Sequence, residues 1–387
     1  MKPPRHYLLN LLNLLIVAAV ITMMALPTAD PAIAGTQWTV RTSEGFDALC
    51  ALNLLSGDAY YLEMYPEEAK SFAASRYAAA RRAARRLKAV IKDEQGGIVS
   101  AFLTLVHSGG PDSTLAAVLA SARAPARLKS SFRASAFWSE DAWKRFERVR
   151  PDLIEALDAM RKAGFTEEWK KLMGTGSSSR AGALRAELAP YDILGEQSRL
   201  IGHDLQKGRI EVVLLYYSKP HGIRVQGARF LTNIGYPTGI VLRNAAHEPL
   251  HPPYDTSNPG VAKAVAEFAR DSLIARIVRE HNPSFGYTTV DGYVEEDAVQ
   301  ALEQVVSERL GLAQPAGERW RKGDDGMHLL AAAIYSLMQE TGFAEEGGRF
   351  ETWFIDMVTA GRLRSVEVDR RARSVVGDDA VDSWHAR

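Results

Sequence analysis

Most of this chain is patterned for helix, and the place where that pattern stops is its strongest constraint. From Ser43 to about Met173, alanine, leucine and arginine dominate and strand-like runs are scarce. After Gly208 the period changes. Ile210–Tyr217 is β-branched, aliphatic and aromatic, the signature of a buried strand. Ile223–Gln226 and Phe230–Ile234 read as further short strands, with Pro220-His221-Gly222 punctuating the run. Pro237-Thr238 marks a helix start with Thr238 as N-cap, and Ile240, Val241, Leu242, Ala245 and Ala246 make that helix largely apolar. From residue 261 onward the chain is again mostly helical, with a long loop at His281–Gly292. The expected fold class is α+β, mostly α. A helical N-terminal region spans 35–190, and a region with a small sheet beside an apolar helix spans 191–387. The boundary is placed around 174–195, where Gly174 to Ser179 reads as a linker.

Residues 1–34 have the form of an export signal. Lys2 and Arg5 precede an apolar stretch from Leu8 to Leu26, Pro27 breaks it, and Ala32-Ile33-Ala34 fits a small-x-small cleavage site. Cleavage would leave Gly35 first and place the protein in the periplasm or outside the cell. The alternative is an uncleaved anchor, because about 19 largely apolar residues just span a bilayer.

Composition serves mainly to exclude. Forty-seven Lys+Arg balance 47 Asp+Glu, so the basic excess of a nucleic-acid binder is missing. The arginines of Ala73–Ile91 therefore read as a solvated helix face. A single cysteine, Cys50, rules out an internal disulfide framework and any multi-thiolate metal site. Its apolar flanks point to a buried structural thiol.

Chemistry concentrates in one stretch, Asn244-Ala245-Ala246-His247-Glu248-Pro249-Leu250-His251-Pro252-Pro253. It contains His-Glu-x-x-His. On a helix, residues four apart share a face, so His247 and His251 can point two imidazoles at one Zn2+ ion. Glu248 would stand beside the metal as general base and then general acid. Pro249 inside the motif removes a helical hydrogen bond, and Pro252-Pro253 end the helix directly after His251. The pair is therefore expected at a kinked helix terminus.

A catalytic zinc needs a third protein ligand. A metzincin-type extension would require Gly at 254 and His at 257, where the chain has Tyr254 and Ser257. The stretch from Gly292 to Glu303 instead supplies glutamates at 295 and 296. Together, the His-Glu-x-x-His segment and this stretch resemble the gluzincin metallopeptidases, over roughly residues 209–311. The resemblance implies a zincin-like catalytic region with Glu296 as third ligand, or Glu295 if the register slips by one. It departs from the family at Gln300, where an acidic residue often orients a histidine. For the oxyanion donor, Tyr254, Tyr287, Tyr293, His281, His328 and Tyr335 all qualify. His221 reads as an exposed turn residue, and no Gly-x-Ser-x-Gly elbow is present.

The resemblance implies an exported zinc peptidase acting on a peptide or protein substrate, with metal held by His247, His251 and Glu296. It would have no nucleic-acid partner and would meet the membrane only through an uncleaved signal segment. The alternative is a non-catalytic zinc-binding or protein-binding envelope protein with a degenerate zincin-like half.

Overall fold

The change of period at Gly208 becomes the sheet around which the computed structural model is built. The structure describes residues 35–203, 208–282 and 285–387, and the signal segment expected at 1–34 lies outside them. Among the described residues no helix is long and apolar enough to cross a membrane. The fold is α+β and mostly α, with one four-stranded mixed sheet.

The strands are β1 (Gln37–Thr42), β2 (Arg209–Leu215), β3 (Ile223–Arg224) and β4 (Arg229–Asn233), in the order β1-β2-β4-β3. β1 and β4 run parallel to β2, with Val40 opposite Val212 and Phe230 opposite Val212 on its other edge. β3 pairs antiparallel with β4. The region from 35 to 190 is thus not wholly helical, because its first residues form an edge of this sheet.

β2 explains why the sequence reads as an unbroken apolar run. A strand alternates its side chains between two faces, and here both faces are covered. Ile210, Val212 and Leu214 enter one core, while Val213 and Leu215 enter the other. The second core holds helices α1 (Glu44–Leu55), α2 (Ala78–Lys88), α3 (Val99–His107) and α4 (Glu140–Lys162). The first holds α5 (Ser177–Leu188), α6 (Ile193–Ile201), α7 (Thr238–His247), α8 (Val290–Arg309), α9 (Ala316–Lys322) and α10 (Leu329–Glu340). The expected linker at Gly174–Ser179 is shorter than read, since α5 begins at Ser177. Leu184 and Leu188 of α5 pack with the second half of the chain.

Strand ends are set by competing hydrogen bonds. The run to Tyr217 stops being strand at Leu215 because the backbone N–H groups of Tyr216 and Tyr217 donate to the Asp47 carboxylate, at 2.8 and 2.7 Å. The Trp169 indole N–H donates to the same carboxylate at 2.7 Å. Likewise Gln226 leaves β3 to donate its N–H to Ser108 Oγ at 3.1 Å.

In α2, Ala80, Ala83, Ala84 and Leu87 are buried, while Arg86 pairs with Asp152 and Glu155 at 2.7 and 2.6 Å on the exposed side. Cys50 is buried on α1. His107, on α3, is fully buried against Phe146, and neither ring nitrogen has a protein partner. At the start of α7 the N-cap is Pro237 rather than Thr238. Thr238 is the first helical residue, and its hydroxyl instead bonds Glu187.

Asp47→Ala leaves two backbone donors and an indole unpaired, which should cost about 3 kcal/mol or more in urea unfolding; a loss below ~1 kcal/mol would refute the clamp. Burial holds His107 down to about 3, well below its ordinary value near 6.5. Between those limits the unfolded chain binds the extra proton, so stability is full above ~6.5 and falls with pH. From about pH 7 to about pH 5 the parent should lose ~2 kcal/mol more than His107→Leu. Equal losses in the two proteins would refute it.

Candidate metal centre

Pro249 shapes the centre. It offers no N–H, so the α-helical ladder of α7 stops at His247 and Glu248–Leu250 tighten into a single 3-10 turn. His251 follows in extended conformation, with φ −82° and ψ 129°. The two histidines therefore do not ride one face of a continuous helix, as their spacing suggested. The turn nevertheless brings them together: the Nε2 atoms are 3.1 Å apart, and the rings meet edge to face with centroids 4.9 Å apart.

Helix α8 supplies the facing carboxylate. Thr289 caps it, accepting from Gly292 N–H at 3.1 Å. Glu296 points its two oxygens at the pair, Oε1 3.5 Å from His247 Nε2 and Oε2 3.5 Å from His251 Nε2. Ligand atoms of His247, His251 and Glu296 all lie within 4.8 Å of one another. With zinc–ligand bonds of about 2.0–2.1 Å, neighbouring ligands of a tetrahedral site stand about 3.3–3.4 Å apart. The three separations bracket that edge, so the donor set fits the metal.

The remaining ring nitrogens are held from outside. His251 Nδ1 is 3.0 Å from Glu295 Oε1, and Arg224 Nη1 donates to that oxygen at 2.7 Å. His247 Nδ1 faces Glu303 Oε2 at 3.7 Å, and Arg319 pairs with the same oxygen. Each imidazole thus faces a carboxylate that an arginine neutralises in turn. The 3.0 Å contact with Glu295 assigns a ring proton to Nδ1 of His251, while burial opposes charge on His247 but the Glu296 carboxylate holds its pKa well above the ordinary value. In a metal-free centre a proton between the Nε2 atoms answers the charge of Glu296; a metal ion taking that proton's place would meet two Nε2 lone pairs and an anionic carboxylate. Burial opposes charge on these acids, but His251 and Arg224 hold Glu295 down to about 2, and Arg319 with His247 holds Glu303 there too.

Glu295 and Glu296 therefore take separate places: 296 faces the Nε2 pair and 295 faces an Nδ1. Gln300 orients neither His247 nor His251, though its Nε2 lies 3.5 Å from His328 Nε2. Gln300 Nε2 donates to Glu296 Oε1 at 3.0 Å, while Arg319 and Trp320 donate to Gln300 Oε1 at 3.0 and 3.1 Å. The acid beside His247 comes from Glu303, seven residues after Glu296 and so on the same helical face. That periodicity was available in the sequence; the arginine partners were not.

Glu248 is buried beside the pair, and burial raises its carboxyl above the ordinary range. The turn before β3 lies against it: a Cβ on Gly222 would come within 2.6 Å of Glu248 Oε1. Of the six candidate oxyanion donors, Tyr287 is the one whose hydroxyl pKa is raised by burial and by the charge of Glu296. Tyr287 sits in the left-handed region at φ 51°, uncommon for a non-glycine residue.

The other five point elsewhere. Tyr293 donates to Met327 O, Tyr335 to Glu308, and Tyr254 stacks on Phe354. His281 contacts the carbonyls of Ile277 and Gly286. His328 lies between Asp297 and Asp324, at 2.5 and 3.0 Å. His221 is not an exposed turn residue: its ring packs against Tyr60 and Tyr61, its Nε2 is 3.0 Å from the Tyr61 hydroxyl, and burial lowers it to about 4.

Comparison with family models, curated proteins and solved structures found no match for this chain. Its activity must be read from its own residues. Glu303→Gln should weaken zinc binding about ten- to hundredfold in chelator competition while the fold is kept. Unchanged affinity would show that Glu303 does not orient His247.

Proposed function

We propose that the chain is an exported zinc-dependent peptidase of gluzincin type, with a zincin-like catalytic region formed by the sheet, α7 and α8. The observation that carries the reading is the convergence of His247 Nε2, His251 Nε2 and Glu296, with Glu248 buried alongside. Zinc, when bound, acts as a Lewis acid and lowers the pKa of a water molecule it holds. The location rests on the form of residues 1–34 alone.

The chain's own residues have distinct tasks. His247, His251 and Glu296 hold the metal, and Glu295 and Glu303 fix the imidazole orientations. Glu248 takes a proton from the attacking water and passes it to the departing amine nitrogen, so that a C–N bond breaks as a C–O bond forms. Its raised pKa suits that exchange, because a base returns its proton most readily when its pKa lies near the working pH. Tyr287 is the hydroxyl closest to hand for charge developing on the carbonyl oxygen. Pro249 and the absence of an acid at position 300 both favour a degenerate, non-catalytic centre. Against the first stands the turn at Pro249, which brings the imidazoles to 3.1 Å, and against the second stands Glu303, which faces His247.

Metal analysis of the purified protein tests this reading. About one zinc per chain is expected, lost in His247→Ala and His251→Ala. Glu248→Gln should keep the metal and lose at least about a thousandfold of peptide hydrolysis, in line with removal of a general base and its positioning role. A folded protein without zinc, or a Glu248→Gln variant that still cleaves at the parent rate, would overturn it.

A further inference from the structure

A groove of about 950 Å3 opens beside His251, in the size range of ligand clefts. It is lined by the segment leaving the metal motif, by Arg133, Phe137 and Trp138 from the N-terminal half, and by Arg349 from the C-terminal half. Three observations give it a role.

First, its lining is joined to the metal centre. The Arg224 guanidinium lies 4.4 Å from the Phe137 ring centroid, Arg224 donates to Glu295, and Glu295 faces His251 Nδ1. Second, its two arginines, Arg133 and Arg349, have no carboxylate partner among the described residues, while its two acids, which keep their charge, accept hydrogen bonds from neutral groups of the same loop. Arg133 lies over Trp138 at 5.8 Å. Glu351 accepts from Asp255 N–H and Asn258 Nδ2 at 2.7 and 2.8 Å. Asp255 Oδ1 accepts from Ser257 N–H and Oγ at 2.9 and 2.6 Å. Third, Phe137 and Trp138 add aromatic surface to the groove beside Arg133.

We propose that this groove seats the substrate chain and selects peptide segments that carry acidic side chains near the bond to be cut. The proposal rests on the peptidase reading. An arginine that lacks a carboxylate of its own can form a charge-assisted, bidentate pair with one brought by a ligand. The aromatic rings supply apolar contact for the rest of that segment. His251 belongs to both the groove and the centre, so a chain lying in the groove passes one of the two metal-facing histidines.

The test is binding to the full chain carrying Glu248→Gln, followed by fluorescence anisotropy. The probes are two labelled decapeptides, alike except that one carries glutamates where the other carries lysines. The glutamate peptide should bind at least about tenfold more tightly at moderate salt. Arg133→Glu combined with Arg349→Glu should erase or reverse that preference at unchanged zinc content. Arg133→Gln with Arg349→Gln, a milder pair at exposed positions, should reduce it. Equal binding of the two peptides, or a preference that survives both double variants, would overturn the proposal. Zinc content and hydrolysis by the parent report separately on the peptidase reading. A charge preference without hydrolysis would support the groove and remove the peptidase; hydrolysis without a charge preference would do the reverse.

Discussion

Helix α8 is buried along nearly its whole length and still carries Glu296, Asp297 and Glu303 inward. Carboxylates do not stay charged in an interior unless cations or donors meet them. Much of the second half of the fold is arranged to do this. α7 and the turn after it deliver two histidines to Glu296, α9 delivers Arg319 to Glu303, and the residue before α10 delivers His328 to Asp297. Each partner comes from a different element, so the charges of one helix fix the relative placement of its neighbours. A core of leucines would have tolerated slippage between these helices; charged point contacts do not.

Pro249 appears in the sequence as a defect in the motif and in the structure as its organiser. By ending α7 at His247 it forces a tight turn, and the turn returns the chain so that His251 meets His247 from outside the helix. The same turn sends the following residues along the groove. Gly222 completes the arrangement, since a side chain there would collide with Glu248 and Asn244. The metal pair, the base and the groove thus share one short loop system, and a change in that loop is felt by all three.

The legible parts of the fold were those written in local pattern. β2 and β4 announced themselves through apolar content, and α7 through its proline start. The pair Glu295-Glu296 stood out because it follows the histidine motif at the start of a new helix. β1 did not stand out: Gln-Trp-Thr-Val-Arg-Thr has polar residues at every second place, and its strand character comes from pairing with residues far along the chain. The arginines at 224 and 319 were equally silent. Nothing beside them in sequence says that one meets Glu295 and the other Glu303. His221 was misjudged because its burial is supplied by Tyr60 and Tyr61, about 160 residues earlier.

β1 also carries a consequence for how the molecule is made. It is synthesised before all the helices of both cores, yet among the described residues its only sheet neighbour is β2, which begins at Arg209. Pairings so distant along the chain are closed late, after a large entropic cost of loop closure. The N-terminal helices therefore cannot seal their core early, because Val213, Leu215 and Leu231 fill one side of it. A chain emerging N-terminus first would hold an apolar surface and an unpaired strand edge open until the middle of the sequence arrives, a state in which self-association competes with folding.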